Sequence, residues 1–270
     1  VHPEAIDSIS PLAADLRAHD PDRYTASLFA PPFSRDALIA LYAFDHELAR
    51  LPKIVREPMA GLIRLQWWED IIDRIDDNQT THHPVVQGLH RALTKGGLDA
   101  VHLKRAIDGR RRPFEDERPS DLQTFERYLL DIGGSITSAA AALLGAEDGE
   151  TMAVANRVGL VRAAFEQLIT LERPVSDLGP WLPSEWLESP DHPNGRASTA
   201  GANTCLATWA LGELAEARRQ QGSIVRSLLA AFFPGTLAGI RLRGSIGRSH
   251  QTRLPTAVPK LIWCWIRGRF

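Results

Sequence analysis

Apolar residues recur along this chain at the three- and four-residue spacing of an α-helix, and runs of apolar–polar alternation are scarce. The pattern predicts an all-α protein, a helical bundle in which each helix buries one stripe in a common core. The stretch 34–77 organises the rest. It reads as two facing helices, the first centred on Tyr42-Ala43-Phe44 and the second on Arg64-Leu65-Gln66-Trp67-Trp68. In the first, Leu38, Leu41, Tyr42, Asp45, Leu48 and Ala49 share a broad face. Pro52 and Pro58 mark the turn between the two, and Pro58 stands at a helix start, where its missing N–H costs nothing.

Before this pair a short helix is expected over 22–30, broken by Pro31-Pro32, with Asp22 or Ser34 as caps. After it, a helix over 84–95 stops at Gly96-Gly97. Another begins near Asp99 and ends in the basic run Arg110-Arg111-Arg112 before Pro113. The segment 120–145 carries a face of Gly, Ser, Thr and Ala that lets a neighbouring helix approach closely. A helix over 151–171 follows, then a Pro-rich loop with one isolated turn at 181–187. Closing helices are expected near 205–221, 223–242 and 255–268.

Length changes the picture little: 270 residues with 44% hydrophobic content suffice for one large domain, and no linker interrupts them. A single domain over 1–270 is therefore expected. No apolar run reaches the roughly 18 residues of a membrane-spanning helix, so no bilayer crossing is expected. Cys205 and Cys264 fit neither a disulfide framework nor a zinc site. The first residues carry no basic-then-apolar leader.

Charge changes it more. Glu216 is the last acidic residue, and positions 217–270 hold 10 basic residues, leaving 21 basic against 33 acidic before them. The two parts carry about +10 and -12. Within the basic part, Lys260, Trp263, Trp265, Arg267 and Arg269 interleave cations with tryptophan, a pattern suited to a membrane interface. With Arg241 and Arg243 they form the expected surface for an anionic membrane or an acidic protein partner. A last bundle helix that buries its tryptophans is the plainer alternative. Nucleic acid is not expected, because no motif for it accompanies the charge.

Two acidic features are candidate chemistry. Glu69, Asp73 and Asp77 lie four apart on one helical stripe, and carboxylates so spaced can hold Mg²⁺ and present a diphosphate. A solvated helix end explains them as well. Asp45 sits on an apolar face, so it is a metal ligand, a general base, or one half of an internal pair with an arginine such as Arg64. His82-His83 read as surface residues, since adjacent side chains diverge.

The segments Asp22-Arg23-Tyr24, Leu28-Phe29-Ala30-Pro31, Arg35, Tyr42-Ala43-Phe44, Glu47-Leu48-Ala49-Arg50, Glu57-Pro58-Met59 and Ile63-Arg64-Leu65-Gln66-Trp67-Trp68 resemble the squalene/phytoene synthase family. Within it they are most similar to the branch of a mitochondrial complex I assembly factor and its bacterial relatives. The resemblance implies the isoprenoid synthase-type bundle. It also implies enzymes that condense prenyl diphosphates with Mg²⁺ held by two Asp-x-x-x-Asp pairs. At those positions this chain has Ala49 and Lys53, then Thr170 and Pro174.

The expectation is a catalytically degenerate member with no cofactor, acting as an accessory or assembly factor, with respiratory complex I as the implied assembly. Its expected location is cytoplasmic or in an organelle matrix, peripheral to the inner membrane. Tyr42, Phe44, Asp45, Arg64, Gln66, Trp67 and Gly134 are expected to line any remaining pocket, which could hold an isoprenoid or lipid chain. The alternative is an active prenyl-diphosphate transferase using farnesyl or geranylgeranyl diphosphate. It would use Mg²⁺ on Asp45 and the acidic stripe, with Tyr42, Asp45 and Arg35 as catalytic candidates.

Overall fold

Proline and short acidic or hydroxyl side chains set most helix starts. Ser10 caps α1 (Pro11–His19) by accepting from the Ala13 N–H, and Asp20 caps α2 (Pro21–Ser27) by accepting from the Arg23 N–H. Pro32 opens α3 (Pro32–Ala49), Pro58 opens α5 (Pro58–Asp73) and Pro84 opens α6 (Pro84–Lys95), each in the first turn, where no N–H is needed. A single turn, α4 (Leu51–Ile54), links α3 to α5. The remaining elements are α7 (Ala100–Glu115), α8 (Leu122–Leu129), a π-helical turn (Leu130–Gly134), α9 (Ser135–Leu143), α10 (Gly149–Glu172), α11 (Ser184–Leu187), α12 (Thr199–Gln220), α13 (Leu229–Ser245) and α14 (Val258–Arg267).

This computed structural model describes residues 10–75, 82–115, 118–172, 180–187, 199–222, 224–246 and 258–270, and no strand occurs among them. The all-α reading of the periodicity therefore holds. Several boundaries differ for local reasons. Pro31-Pro32 does not delay the long helix to Ser34: Pro32 is its first residue, and the Ser34 hydroxyl donates to the Leu143 carbonyl at 3.4 Å instead of capping. Pro113 lies inside the last turns of α7, which runs past the basic cluster to Glu115. The expected helix over 120–145 is α8 and α9 joined through the π-helical turn, where one extra residue is inserted.

α3 runs through the interior. Leu38, Leu41, Phe44 and Leu48 are fully buried, and the helix packs against α1, α2, α6, α7 and α9. α10 is the second internal helix, lying on α9, α12, α13 and the π-helical turn. It comes close because small residues face small residues: a Cβ built on Gly133 would overlap the Gly159 carbonyl, and one on Gly159 would overlap the Gly133 carbonyl. α5 is peripheral, packing on α7 through Gly61, Leu65, Trp68 and Ile72, with the Trp68 ring edge-on to Phe44 at 5.3 Å.

Candidate functional site

Asp45 is the most deeply buried acid among the described residues. It lies in the middle of α3, on the face that the helix must bury, and its side chain is 1% exposed. A lone carboxylate there would be prohibitively costly to ionise. Two arginines from other helices meet it: Nη2 of Arg23 in α2 approaches Oδ2 at 2.6 Å, and Nη2 of Arg110 in α7 donates to Oδ1 at 3.2 Å. Both guanidinium side chains are 4% exposed.

The chain of charges continues in both directions. Arg110 also grips both carboxylate oxygens of Glu166 in α10, with the Oε2 contact at 3.0 Å. Arg23 lies 3.7 Å from the Asp20 carboxylate, which in turn accepts from Nη2 of Arg162 in α10 at 2.9 Å. The Arg23 guanidinium stands 5.2 Å from the centre of the Tyr42 ring. Asp20, Asp45 and Glu166 thus interleave with Arg23, Arg110 and Arg162, three negative and three positive side chains. The network ties α2, α3, α7 and α10 together and balances its own charge.

Burial pushes the carboxyls of Asp45, Glu166 and Asp20 up, and the adjacent arginines more than offset it. Arg23 and Arg110 act on Asp45, Arg110 on Glu166, and Arg162 with Arg23 on Asp20, leaving all three below the usual carboxylate range. Burial also pushes the Tyr42 hydroxyl up, against the pull of Arg23, so it stays protonated. A group depressed in the folded state contributes stability that is complete above its unfolded pKa and disappears as pH falls through the folded value. Unfolding free energy from urea titrations should accordingly fall steeply below about pH 4, after a smaller decline below neutral pH as His46 and His102, which burial holds below the usual imidazole range, are forced to protonate. A protein equally stable at pH 7 and pH 3 would contradict the network.

The other expected site residues are scattered. Arg64 is exposed and is not the partner of Asp45, correcting that pairing; Arg23 and Arg110 occupy both oxygens. Gln66 and Trp67 are also exposed; Trp67 lies on the outer side of α5 with Met59 and Ile63, and Gln66 accepts from Nη2 of Arg111 in α7 at 3.1 Å. Tyr42 and Phe44 are buried in α3, and Gly134 is buried in the π-helical turn beside Asn156. Arg35 holds the end of α2, donating to the carbonyls of Leu28 and Ala30 at 3.2 and 3.3 Å.

The acidic stripe is spent on a neighbour: Glu69 pairs with Arg111 and Asp73 with Lys104, both on α7. Asp77 lies outside the described residues. Among the described residues, no three His, Cys, Asp or Glu side chains cluster in a way that could hold a metal ion. Ala49 is half-buried and Lys53 exposed, while the Thr170 hydroxyl donates to the Glu166 carbonyl; Pro174 lies outside the described residues. Neither these positions nor the arginine-bound carboxylates fit Mg²⁺, which needs several free oxygen ligands.

At the basic end, Arg241 is bound to Asp22 at 2.7 Å, and Arg243 is exposed. α14 carries Lys260, Trp263, Trp265 and Arg267 on its exposed sides, with Arg269 exposed just beyond it. No described helix is long and apolar enough to cross a membrane.

Five members of the central network were not anticipated from sequence: Asp20, Arg23, Arg110, Arg162 and Glu166. The clearest signal existed for one. Arg110 follows Leu103 and Ile107 and precedes Phe114 on a single apolar stripe, where a cation needs an internal partner. Arg162 and Glu166 lie four apart on α10 among Val158, Val161, Ala163 and Ala164, which is the same kind of signal in weaker form.

The described helices pack as an all-α bundle. Residues 16–244 match the squalene/phytoene synthase family, and the chain belongs to it. A dehydrosqualene synthase crystallised with ligand superimposes with a TM-score of 0.69 at 14% identity, over 96% of this chain and 94% of that one. A squalene synthase from Alicyclobacillus acidocaldarius gives 0.67 at 18% identity with the same coverage. These two likenesses concern the fold.

In sequence, the chain is similar to NADH dehydrogenase (ubiquinone) complex I, assembly factor 6, of Bos taurus. The two are 31% identical over 144 residues, which is 53% of this chain and 43% of that protein. The human counterpart is 29% identical over the same length. The match spans less than half the length of these relatives.

Proposed function

We propose that this chain is a non-catalytic member of the squalene/phytoene synthase family that serves as an accessory or assembly factor for respiratory complex I at an anionic membrane surface. The observation that carries the reading is the closure of Asp45 between Arg23 and Arg110. A diphosphate-cleaving site needs carboxylates free to gather Mg²⁺ and cationic surroundings free to receive the leaving group. Here the interior carboxylates and arginines are committed to one another, and Ala49 and Lys53 stand at the first pair of ligand positions. The assembly role draws on the similarity to complex I assembly factor 6. The surface location draws on the basic C-terminal part, and the reading places the chain on the cytoplasmic or matrix side of the inner membrane.

Incubation with farnesyl or geranylgeranyl diphosphate and Mg²⁺ tests the catalytic half. No diphosphate release above buffer is expected; release that disappears in Asp45→Ala would establish a transferase instead. Deletion of the gene tests the assembly half, with assembled complex I on native gels expected to fall several-fold. Unchanged complex I levels would sink it.

A further inference from the structure

α14 is fastened to the bundle along one side and open on the other. Leu261, Cys264 and Phe270 are buried, the Phe270 ring stacks on Phe232 at 4.9 Å, and Arg218 Nε donates to the Phe270 carbonyl at 3.0 Å. Each helical residue turns the chain by about 100°, so the side opposite Leu261 and Cys264 carries Pro259, Ile262, Trp263 and Ile266. These are exposed, Trp263 by 52% and Ile266 by 58%. A helix that packed its tryptophans inward would show the reverse.

Cations stand on both flanks of this apolar arc. Lys260 and Arg267 lie on one, with the Arg267 guanidinium 4.3 Å from the Trp263 ring centre. On the other, Trp265 is 5.7 Å from the Arg226 guanidinium, whose Nη2 also donates to the Ile266 carbonyl at 3.2 Å. Exposed Val225 adjoins Arg226 in the chain, and exposed Arg269 follows the helix. No acidic residue occurs anywhere after Glu216 to oppose this charge.

We infer that the outward face of α14 is an interfacial docking surface for anionic phospholipid, on which the helix lies flat. Ile262, Trp263 and Ile266 enter the headgroup region, and Lys260, Arg226, Arg267 and Arg269 meet lipid phosphates. The inference rests on the membrane-surface part of the function proposed above and names the residues that perform it. The physical match is twofold. Tryptophan has an apolar body with a polar N–H and settles at headgroup depth, and long cationic side chains reach from an apolar face to phosphates at its edges. An acidic protein helix would satisfy the cations equally well. What favours lipid is that exposed tryptophans stand between cations on both flanks of the apolar arc, Trp263 beside Arg267 and Trp265 beside Arg226, the arrangement of a headgroup-depth interface.

Vesicle co-sedimentation of the full chain tests it. The chain should pellet with phosphatidylcholine vesicles containing phosphatidylglycerol and bind pure phosphatidylcholine at least about tenfold more weakly. Replacing both Trp263→Ser and Ile266→Ser should lower binding to the anionic vesicles by about tenfold or more. Lys260→Glu with Arg267→Glu should do the same. Ile63→Ser, an equally exposed apolar position on α5, serves as the control and should bind like the unaltered chain. All these positions are exposed, and an unchanged melting temperature confirms the fold. If the α14 variants bind like the unaltered chain, the assignment to α14 falls while the membrane-surface reading stands. If the unaltered chain stays in solution with both vesicle types, both fall.

Discussion

Arg110→Leu should destabilise the protein by about 3–5 kcal/mol, read from urea unfolding at neutral pH. The substitution takes away the cation shared by Asp45 and Glu166 and leaves two buried carboxylates facing one another without their counter-charge. The loss is large because the remaining groups cannot reach water: Asp45 is sealed within α3, and its second partner, Arg23, is already engaged with Asp20. Lys53→Ala, at an exposed position of the expected ligand pair, should change stability by less than about 0.5 kcal/mol. Asp45→Asn with Arg110→Gln should cost less than the sum of the two single changes, since each removes the charge that the other leaves stranded. An Arg110→Leu protein as stable as the original would mean that the interior charges are hydrated and free.

Gly159→Val should be comparably damaging, by about 1–3 kcal/mol or more, for a steric reason. The backbones of α10 and the π-helical turn touch at Gly159 and Gly133, and the atoms that a side chain at Gly159 would meet first are the Gly133 carbonyl oxygen and carbon. Backbone cannot move aside as the end of a flexible side chain can, so the two segments must separate, and the buried apolar surface around Val158 and Ala163 opens with them. Gly212→Ala is the contrasting case. It lies inside α12 with nothing within 4 Å of its missing Cβ, so the change should add about 0.5–1 kcal/mol.

How much of this was legible from residues alone divides along a physical line. Helix existence was legible, because the stripe Leu38, Leu41, Leu48 or the run Pro84 to Gly96 is written in local spacing and local stops. Boundaries at prolines were less so: Pro32 and Pro113 read as breaks, yet a first turn tolerates one and a last turn absorbs the other. The burial of Asp45 was legible from its apolar neighbours, but its partners were not. Arg110 carries the signal of its apolar stripe, but Arg23 and Arg64 are indistinguishable as candidates until tertiary packing places one inward and the other in solvent. The exposure of Trp67 and Gln66 escaped for the converse reason. α5 is a peripheral helix whose outer side keeps the apolar residues Met59, Ile63 and Trp67, so apolarity there does not report the core. The π-helical turn has no local signature; it arises where Gly133 meets Gly159.

The proposed non-catalytic role rests on Asp45 and Glu166 being held by Arg23 and Arg110 inside the bundle. Calorimetric titration of Mg²⁺ into the protein, in the presence and absence of inorganic diphosphate, measures that most directly. No saturable Mg²⁺-dependent heat is expected under either condition. Saturable binding of Mg²⁺ that strengthens with diphosphate and is lost in Asp45→Ala would contradict that role, because Asp45 would then have left its arginines to serve as a ligand.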